Sequence, residues 1–167
     1  MPAEFTSLPR TAQELLREAR VAADRAYHPY SDYLVGAAVR TGDDSIFSGT
    51  FMENTSFGMT ICAEPAAVLA ANTAGHRDII TIAVVGGSPS GPEGGPCTPC
   101  GRCRQVLWEM AVLNATNIEV ICSNLTLTAF QLTTIHELLP SPWPPAPESF
   151  TADRPSAFLQ DGADGAA

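Results

Sequence analysis

Lysine is absent from the sequence, so all nine basic residues are arginine, and eighteen acidic residues leave a formal net charge of −9. That balance repels polyanions. A chain that grips nucleic acid through its phosphates usually carries a basic stripe, whereas here Arg17, Arg20 and Arg25 are interleaved with Glu14, Glu18 and Asp24. Long apolar runs are missing too. No stretch approaches the ~20 residues that span a bilayer, and Met1 to Arg10 lacks the charged and apolar regions of a secretory leader. These absences predict a cytoplasmic protein that acts on a small molecule, with neither nucleic acid nor membrane as partner. Cysteine is sparse and odd in number, five among 167 residues, which in a reducing compartment suits free thiols or metal ligands better than disulfides.

What is present suits one compact domain. Hydrophobic residues make up 45% and charged residues 16%, enough apolar surface to offset the entropy of ordering the chain. Thr11 and Glu14 stand at capping-box spacing, and Leu15, Leu16, Ala19, Ala22, Ala23 and Ala26 recur at helical spacing, which predicts a helix over 11–26. Strand-like runs at 34–40 and 45–52, joined by Thr41-Gly42-Asp43-Asp44, predict an antiparallel hairpin. A helix of small residues over 63–73 ends near Gly75. The β-branched run at 79–85 reads as a strand covered on both faces. After the Gly/Pro-rich loop 86–99 come a helix over 101–110, strands at 118–122 and near 128–132, and a short last helix capped by Thr134 and Glu137 and stopped at Pro140. This order predicts an α/β fold, a mixed sheet of about five strands between layers of helices. The domain is placed at 11–145, preceded by an extension at 1–10 and followed by a disordered Pro/Gly/Ala-rich tail at 146–167.

Two short segments carry the chemistry: Cys62-Ala63-Glu64 at the start of one helix and Pro99-Cys100-Gly101-Arg102-Cys103 at the start of another. Free N–H groups and the positive end of the dipole at a helix N-terminus favour thiolates, the form that binds metal. A Cys-x-x-Cys pair with a third cysteine from a neighbouring helix makes a three-ligand site, the pattern of catalytic rather than structural zinc. Metal lowers the pKa of water to about 7, and Glu64, two residues after a ligand, is placed to move its proton. Cys97 with Cys100 offers a second such pair and leaves a closed four-cysteine site open as an alternative. Cys122, in an apolar strand, reads as a small buried side chain.

These segments match the zinc nucleobase deaminases in their all-cysteine form, and the wider sequence resembles the free-nucleoside cytidine deaminases. The resemblance rests on Tyr30-Ser31-Asp32-Tyr33-Leu34-Val35-Gly36-Ala37-Ala38, Glu53-Asn54, Ile61-Cys62-Ala63-Glu64, Pro99 through Leu107, and Glu137-Leu138-Leu139-Pro140. It implies the three-layer sandwich of that family, Zn²⁺ on Cys62, Cys100 and Cys103, and hydrolysis of a ring amine with Glu64 shuttling protons. It further implies that the Ala63 N–H and the Thr98 carbonyl meet the base, that Tyr33 packs on it, and that Glu53 holds a sugar hydroxyl. A homotetramer in pyrimidine salvage, with Trp143 reaching a neighbour's site, also follows from the resemblance.

Two positions depart from the family pattern. Phe51 stands where the family has a sugar-binding Asn, so it is a candidate for resetting sugar recognition. Pro65 replaces an Arg that offsets the thiolate charge, a task that Arg102 or Arg104 could take over. Three readings result: a cytidine or deoxycytidine deaminase, a deaminase of a modified aminopyrimidine nucleoside of the blasticidin S type, or a zinc-stabilised binding module without turnover.

Overall fold

The computed structural model describes residues 5–148 and 150. The tail expected from 146 onward falls outside the described residues at 149 and 151–167, as do residues 1–4 of the N-terminal extension.

Five strands form one mixed sheet in the order β2-β1-β3-β4-β5: β1 (Leu34–Thr41), β2 (Ile46–Thr50), β3 (Ile79–Gly87), β4 (Glu119–Asn124) and β5 (Phe130–Thr134). β1 pairs antiparallel with both β2 and β3, β3 runs parallel to β4, and β4 pairs antiparallel with β5. The parallel pair needs a crossover, supplied by α3 (Gly101–Leu113). Helix α1 (Arg10–Ala23) covers one face of the sheet, while α2 (Ala63–Thr73) and α3 cover the other, with the one-turn α4 (Ile135–Leu138) beside α3. The predicted three-layer α/β architecture is thus the observed one.

Alternation along the strands divides the core in two. Ala37, Val39, Ile82, Val84, Val120 and Cys122 face α2 and α3, whereas Ala38, Ala83, Val85 and Ile121 face α1 with its Leu15, Leu16 and Ala19. Leu8 and Phe5 also pack on the α1 side, so the segment 5–8 ahead of α1 contributes to the core. Two glycines set the helix-to-sheet distance. A Cβ on Gly36 would lie 2.1 Å from the Ala19 carbonyl oxygen, and one on Gly49 would lie 2.2 Å from the Ala67 nitrogen. Only glycine permits backbones this close, and the second contact seats α2, the helix that opens with Cys62-Ala63-Glu64.

Helix α1 departs from its expected start. Its cap is Pro9, with no side-chain capping bond, and Thr11 lies within the first turn. Glu14 accepts instead from the Arg40 guanidinium at 2.9 Å, and Thr11 gives that guanidinium its carbonyl at 3.1 Å. The demand of a nearly buried arginine outweighs a local cap. The same pattern succeeds at α4, where Thr134 and Glu137 form a reciprocal capping box.

Candidate active site

Helices α2 and α3 both begin on a cysteine in extended backbone, Cys62 and Cys100, and neither side chain caps the backbone N–H groups of its helix. Both thiols are therefore free to face each other. Cys103, one turn into α3 and fully buried, completes the group: the three sulfurs lie within 4.8 Å of one another, with Cys100 and Cys103 3.4 Å apart. Tetrahedral zinc with sulfur bonds of about 2.3 Å needs neighbouring sulfurs roughly 3.8 Å apart. The donor set fits that ion. Among the described residues this cluster holds three cysteines and not Cys97, so the closed four-cysteine alternative is not the arrangement formed.

The electrostatics of the cluster favour a thiolate at Cys62. The neighbouring Cys103 thiol brings the Cys62 thiol down to about 7, against burial and the repulsion of Glu64, with help from Cys100 and Arg102. Cys103 is pushed upward in return, by its proximity to Cys62 and by burial. Of the two arginines proposed as compensating charges, Arg102 acts on Cys62, and its guanidinium donates to the Thr60 carbonyl at 3.5 Å. Arg104 is engaged elsewhere, donating to the Pro99 and Leu138 carbonyls at 2.8 Å each.

Glu64, in the first turn of α2, is only 4% exposed. Burial raises its pKa above the ordinary carboxylate range, partly opposed by its own backbone N–H and by the Cys103 thiol. A carboxyl that is reluctant to ionise and sits beside candidate metal ligands is suited to taking and returning protons.

The remaining expected residues sit on the segments around this core. Phe51, Met52 and Glu53 extend past β2, and Met52 bridges Ile61 through paired backbone bonds of 2.9 and 3.0 Å, which fixes the segment next to Cys62. Glu53 is buried, and its carboxylate accepts from the Ser31 hydroxyl and from the Tyr30 and Ser31 N–H groups at 2.8 and 3.3 Å; these bonds hold its pKa below the usual range. Phe51 is half-buried, Ala63 opens α2, and Thr98 is exposed two residues before Cys100. Tyr33, just ahead of β1, has its phenol pushed up to about 12 by burial and by the proximity of Cys97. The capture of Glu53 by the Tyr30-Ser31 backbone had no signal in the sequence because it joins segments far apart in the chain. Trp143 is 79% exposed while the backbone around it is anchored: Gln105 donates to the Trp143 carbonyl and Trp108 to that of Pro144, both at 2.7 Å. Phe150 stacks on Trp108 with ring centroids 5.2 Å apart.

Known proteins agree with this site. The family described as the cytidine and deoxycytidylate deaminase zinc-binding region matches residues 9–118. The chain belongs to that family. Membership brings with it a class of chemistry, hydrolytic deamination, and zinc as the metal, which the cluster of Cys62, Cys100 and Cys103 could hold. A cytidine deaminase from Halalkalibacterium halodurans is 42% identical over 128 residues, 77% of this chain and 90% of that protein. One from Sporosarcina psychrophila is 35% identical over 142 residues, covering 85% and 98%. Among solved structures, the cytidine deaminase from Burkholderia pseudomallei superposes with a TM-score of 0.68 at 39% identity, covering 78% of this chain and 97% of that one. These relatives do not favour the blasticidin S type or the binding module. Among the described residues no helix is long and apolar enough to cross a membrane.

Proposed function

We propose that the protein hydrolyses the exocyclic amine of cytidine or deoxycytidine-like nucleosides, giving the uridine product and ammonia. The observation that carries this reading is the convergence of Cys62, Cys100 and Cys103 within 4.8 Å beside a buried Glu64. Zinc held there supplies a Lewis acid that brings the pKa of a water to about 7. Glu64 then takes a proton from the attacking water and gives one to the ring nitrogen next to the amine-bearing carbon. It carries a further proton to the departing amine as the carbon–nitrogen bond breaks. The Ala63 N–H, a free donor at the start of α2, meets the base carbonyl, and the Thr98 carbonyl accepts from the amine. Tyr33 packs on the ring, Glu53 holds a sugar hydroxyl, and Phe51 shapes the sugar side.

The same reading extends to assembly and place. Phe57, Met59 and Trp143 are 78%, 65% and 79% exposed, an apolar load that supports a homo-oligomer, a tetramer in this reading. Light scattering after gel filtration tests it: a monomer overturns the assembly and leaves the chemistry standing. All five cysteines are free thiols, and a site of three thiolates needs a reducing compartment, which supports a cytoplasmic enzyme of pyrimidine salvage.

Ammonia release from cytidine, deoxycytidine, 5-methylcytidine, cytosine and blasticidin S, with Glu64→Ala as the blank, tests the activity. Turnover of cytidine or deoxycytidine above the blank is expected. Silence across the panel from zinc-loaded protein overturns the reading.

A further inference from the structure

The loop between β3 and α3 has no ladder to hold it. From Ser88 to Pro96 it is punctuated by Pro89, Gly91, Pro92, Gly94 and Gly95 and lies outside any helix or strand, so individual hydrogen bonds fix its course. Its second half is tied to the end of β4. Asn124 donates to the Glu93 carboxylate at 3.0 Å and to the Gly94 carbonyl at 3.2 Å, and the Cys97 N–H donates to the Ser123 carbonyl at 3.2 Å. Its first half is tied to a different part of the chain. The Ser88 hydroxyl donates to the Asp32 carboxylate at 2.9 Å, the Ser90 hydroxyl donates to the same carboxylate oxygen, and the Ser88 oxygen accepts from the Gly91 N–H at 2.9 Å.

Asp32 thereby joins two segments that the proposed reaction uses. It follows Tyr30 and Ser31, whose N–H groups donate to the Glu53 carboxylate at 2.8 and 3.3 Å, and it precedes Tyr33 and β1. The loop that it holds leads on to Thr98 and Cys100. Its backbone has φ 51°, in the left-handed region that costs an L-residue free energy and that aspartate tolerates better than most. Such a conformation persists where its surroundings over-determine it, and here the bonds come from both sides. Glu53 captures the two residues before Asp32, and the serines capture its side chain. Those hydroxyls, Ser90 first and then Ser88, also hold the Asp32 carboxyl below the usual carboxylate range, as expected of an ionised acceptor.

We propose that Asp32 is a positioning residue: its carboxylate clamps the Ser88 and Ser90 hydroxyls, locks the loop onto the turn that presents the Tyr30 and Ser31 N–H groups to Glu53, and so sets the sugar side of the site. The inference rests on the deaminase reading for its kinetic consequence, whereas the clamp itself can be read without turnover.

Zinc-loaded wild type is compared with Asp32→Gly, which accepts the left-handed backbone but has no carboxylate, and with Asp32→Asn, which keeps that backbone preference and an acceptor. Ser88→Ala combined with Ser90→Ala removes both donors, and the triple variant adds Asp32→Gly. Loss of the clamp should raise KM for cytidine about two- to tenfold in Asp32→Gly and in the serine pair, with kcat little changed. The triple variant should be no worse than either, and Asp32→Asn should recover most of the loss. 2′,3′-Dideoxycytidine, which lacks the hydroxyls that Glu53 could hold, should show little change in KM. An unaltered KM for cytidine in Asp32→Gly, an equal rise for the dideoxy nucleoside, or losses that multiply in the triple variant overturns the proposal. Amide hydrogen exchange of the substrate-free proteins separates the two readings. If wild type releases no ammonia, the deaminase reading fails, and exchange still decides the clamp: faster exchange across 88–91 in Asp32→Gly and in the serine pair upholds it, and exchange at the wild-type rate overturns it.

Discussion

The Glu64 carboxyl, buried in the first turn of α2, lies close enough to the Cys103 thiol across the junction of α2 and α3 for that thiol to counter part of the rise in pKa that burial causes. One partner belongs to the metal-binding set and the other is the proposed proton carrier, so the carboxyl stands beside the sulfur that would hold the ion. Glu64→Gln keeps the shape and the neighbouring ligands but cannot carry a proton. It should retain zinc at the wild-type ratio, measured by atomic absorption, and lose turnover by roughly 10²–10⁴-fold, the usual contribution of a general acid–base group. Turnover within tenfold of wild type would remove Glu64 from the mechanism.

The five cysteines should fall into two groups when zinc content is measured. Cys62, Cys100 and Cys103 supply sulfurs to one cluster, so alanine at any of them should cut zinc content and activity together. Cys122 lies wholly buried on β4, and Cys122→Ala should bind zinc normally at a modest loss of stability, about 1 kcal/mol for the contacts removed. Because metal bound only to the folded state stabilises it by mass action, a strong chelator should lower Tm of the wild type, and added zinc should restore it. An equal loss of zinc in Cys122→Ala would contradict the grouping.

Local chemistry made most of this arrangement legible before the fold was known. Helix α2 runs over Ala63–Thr73 as expected, because small residues set its span and Gly75, at φ 95°, stops it. The three cysteines that cluster were equally plain as candidate ligands, since two sit within one turn and the third lies two residues from Glu64. Where a choice depended on a distant partner, local rules failed. Thr11 and Glu14 match the capping pattern as well as Thr134 and Glu137 do, yet Arg40, brought over α1 by the strand, claims Glu14. α3 continues to Leu113, beyond its expected end at 110, because Ala111 is drawn into the core beneath it.

Stability should carry a pH signature from Glu53. Bonds from the Ser31 hydroxyl and the Tyr30 and Ser31 N–H groups depress its pKa in the folded protein. A depressed carboxylate stabilises the fold fully above the ordinary glutamate range, and the contribution disappears as pH falls through the folded-state pKa. Glu53→Gln cannot titrate there. Urea unfolding of both proteins should therefore show a stability gap that is widest near neutrality and narrows as the pH falls from about 7 toward about 3. A gap of constant size at every pH would show that Glu53 does not titrate differently in the folded and unfolded chains.

Under the proposed function, Phe51 is the residue expected to set substrate choice. Its backbone is held on both sides, the N–H donating to the Val35 carbonyl and the carbonyl accepting from the Tyr27 N–H, each at 3.0 Å. A substitution there should change the side chain without moving the segment that carries Glu53. A phenyl ring offers a sugar hydroxyl no partner, and leaving such a group unpaired in a site costs about 1–3 kcal/mol. Phe51→Asn restores a donor and an acceptor at half-buried depth, so kcat/KM for cytidine should rise roughly five- to a hundredfold, with the gain mainly in KM. Nucleosides altered at the sugar should gain less, since the new amide has nothing to pair with on them. If cytidine and the sugar-altered nucleosides respond alike, Phe51 does not face the sugar, and the wall it forms belongs to some other part of the substrate.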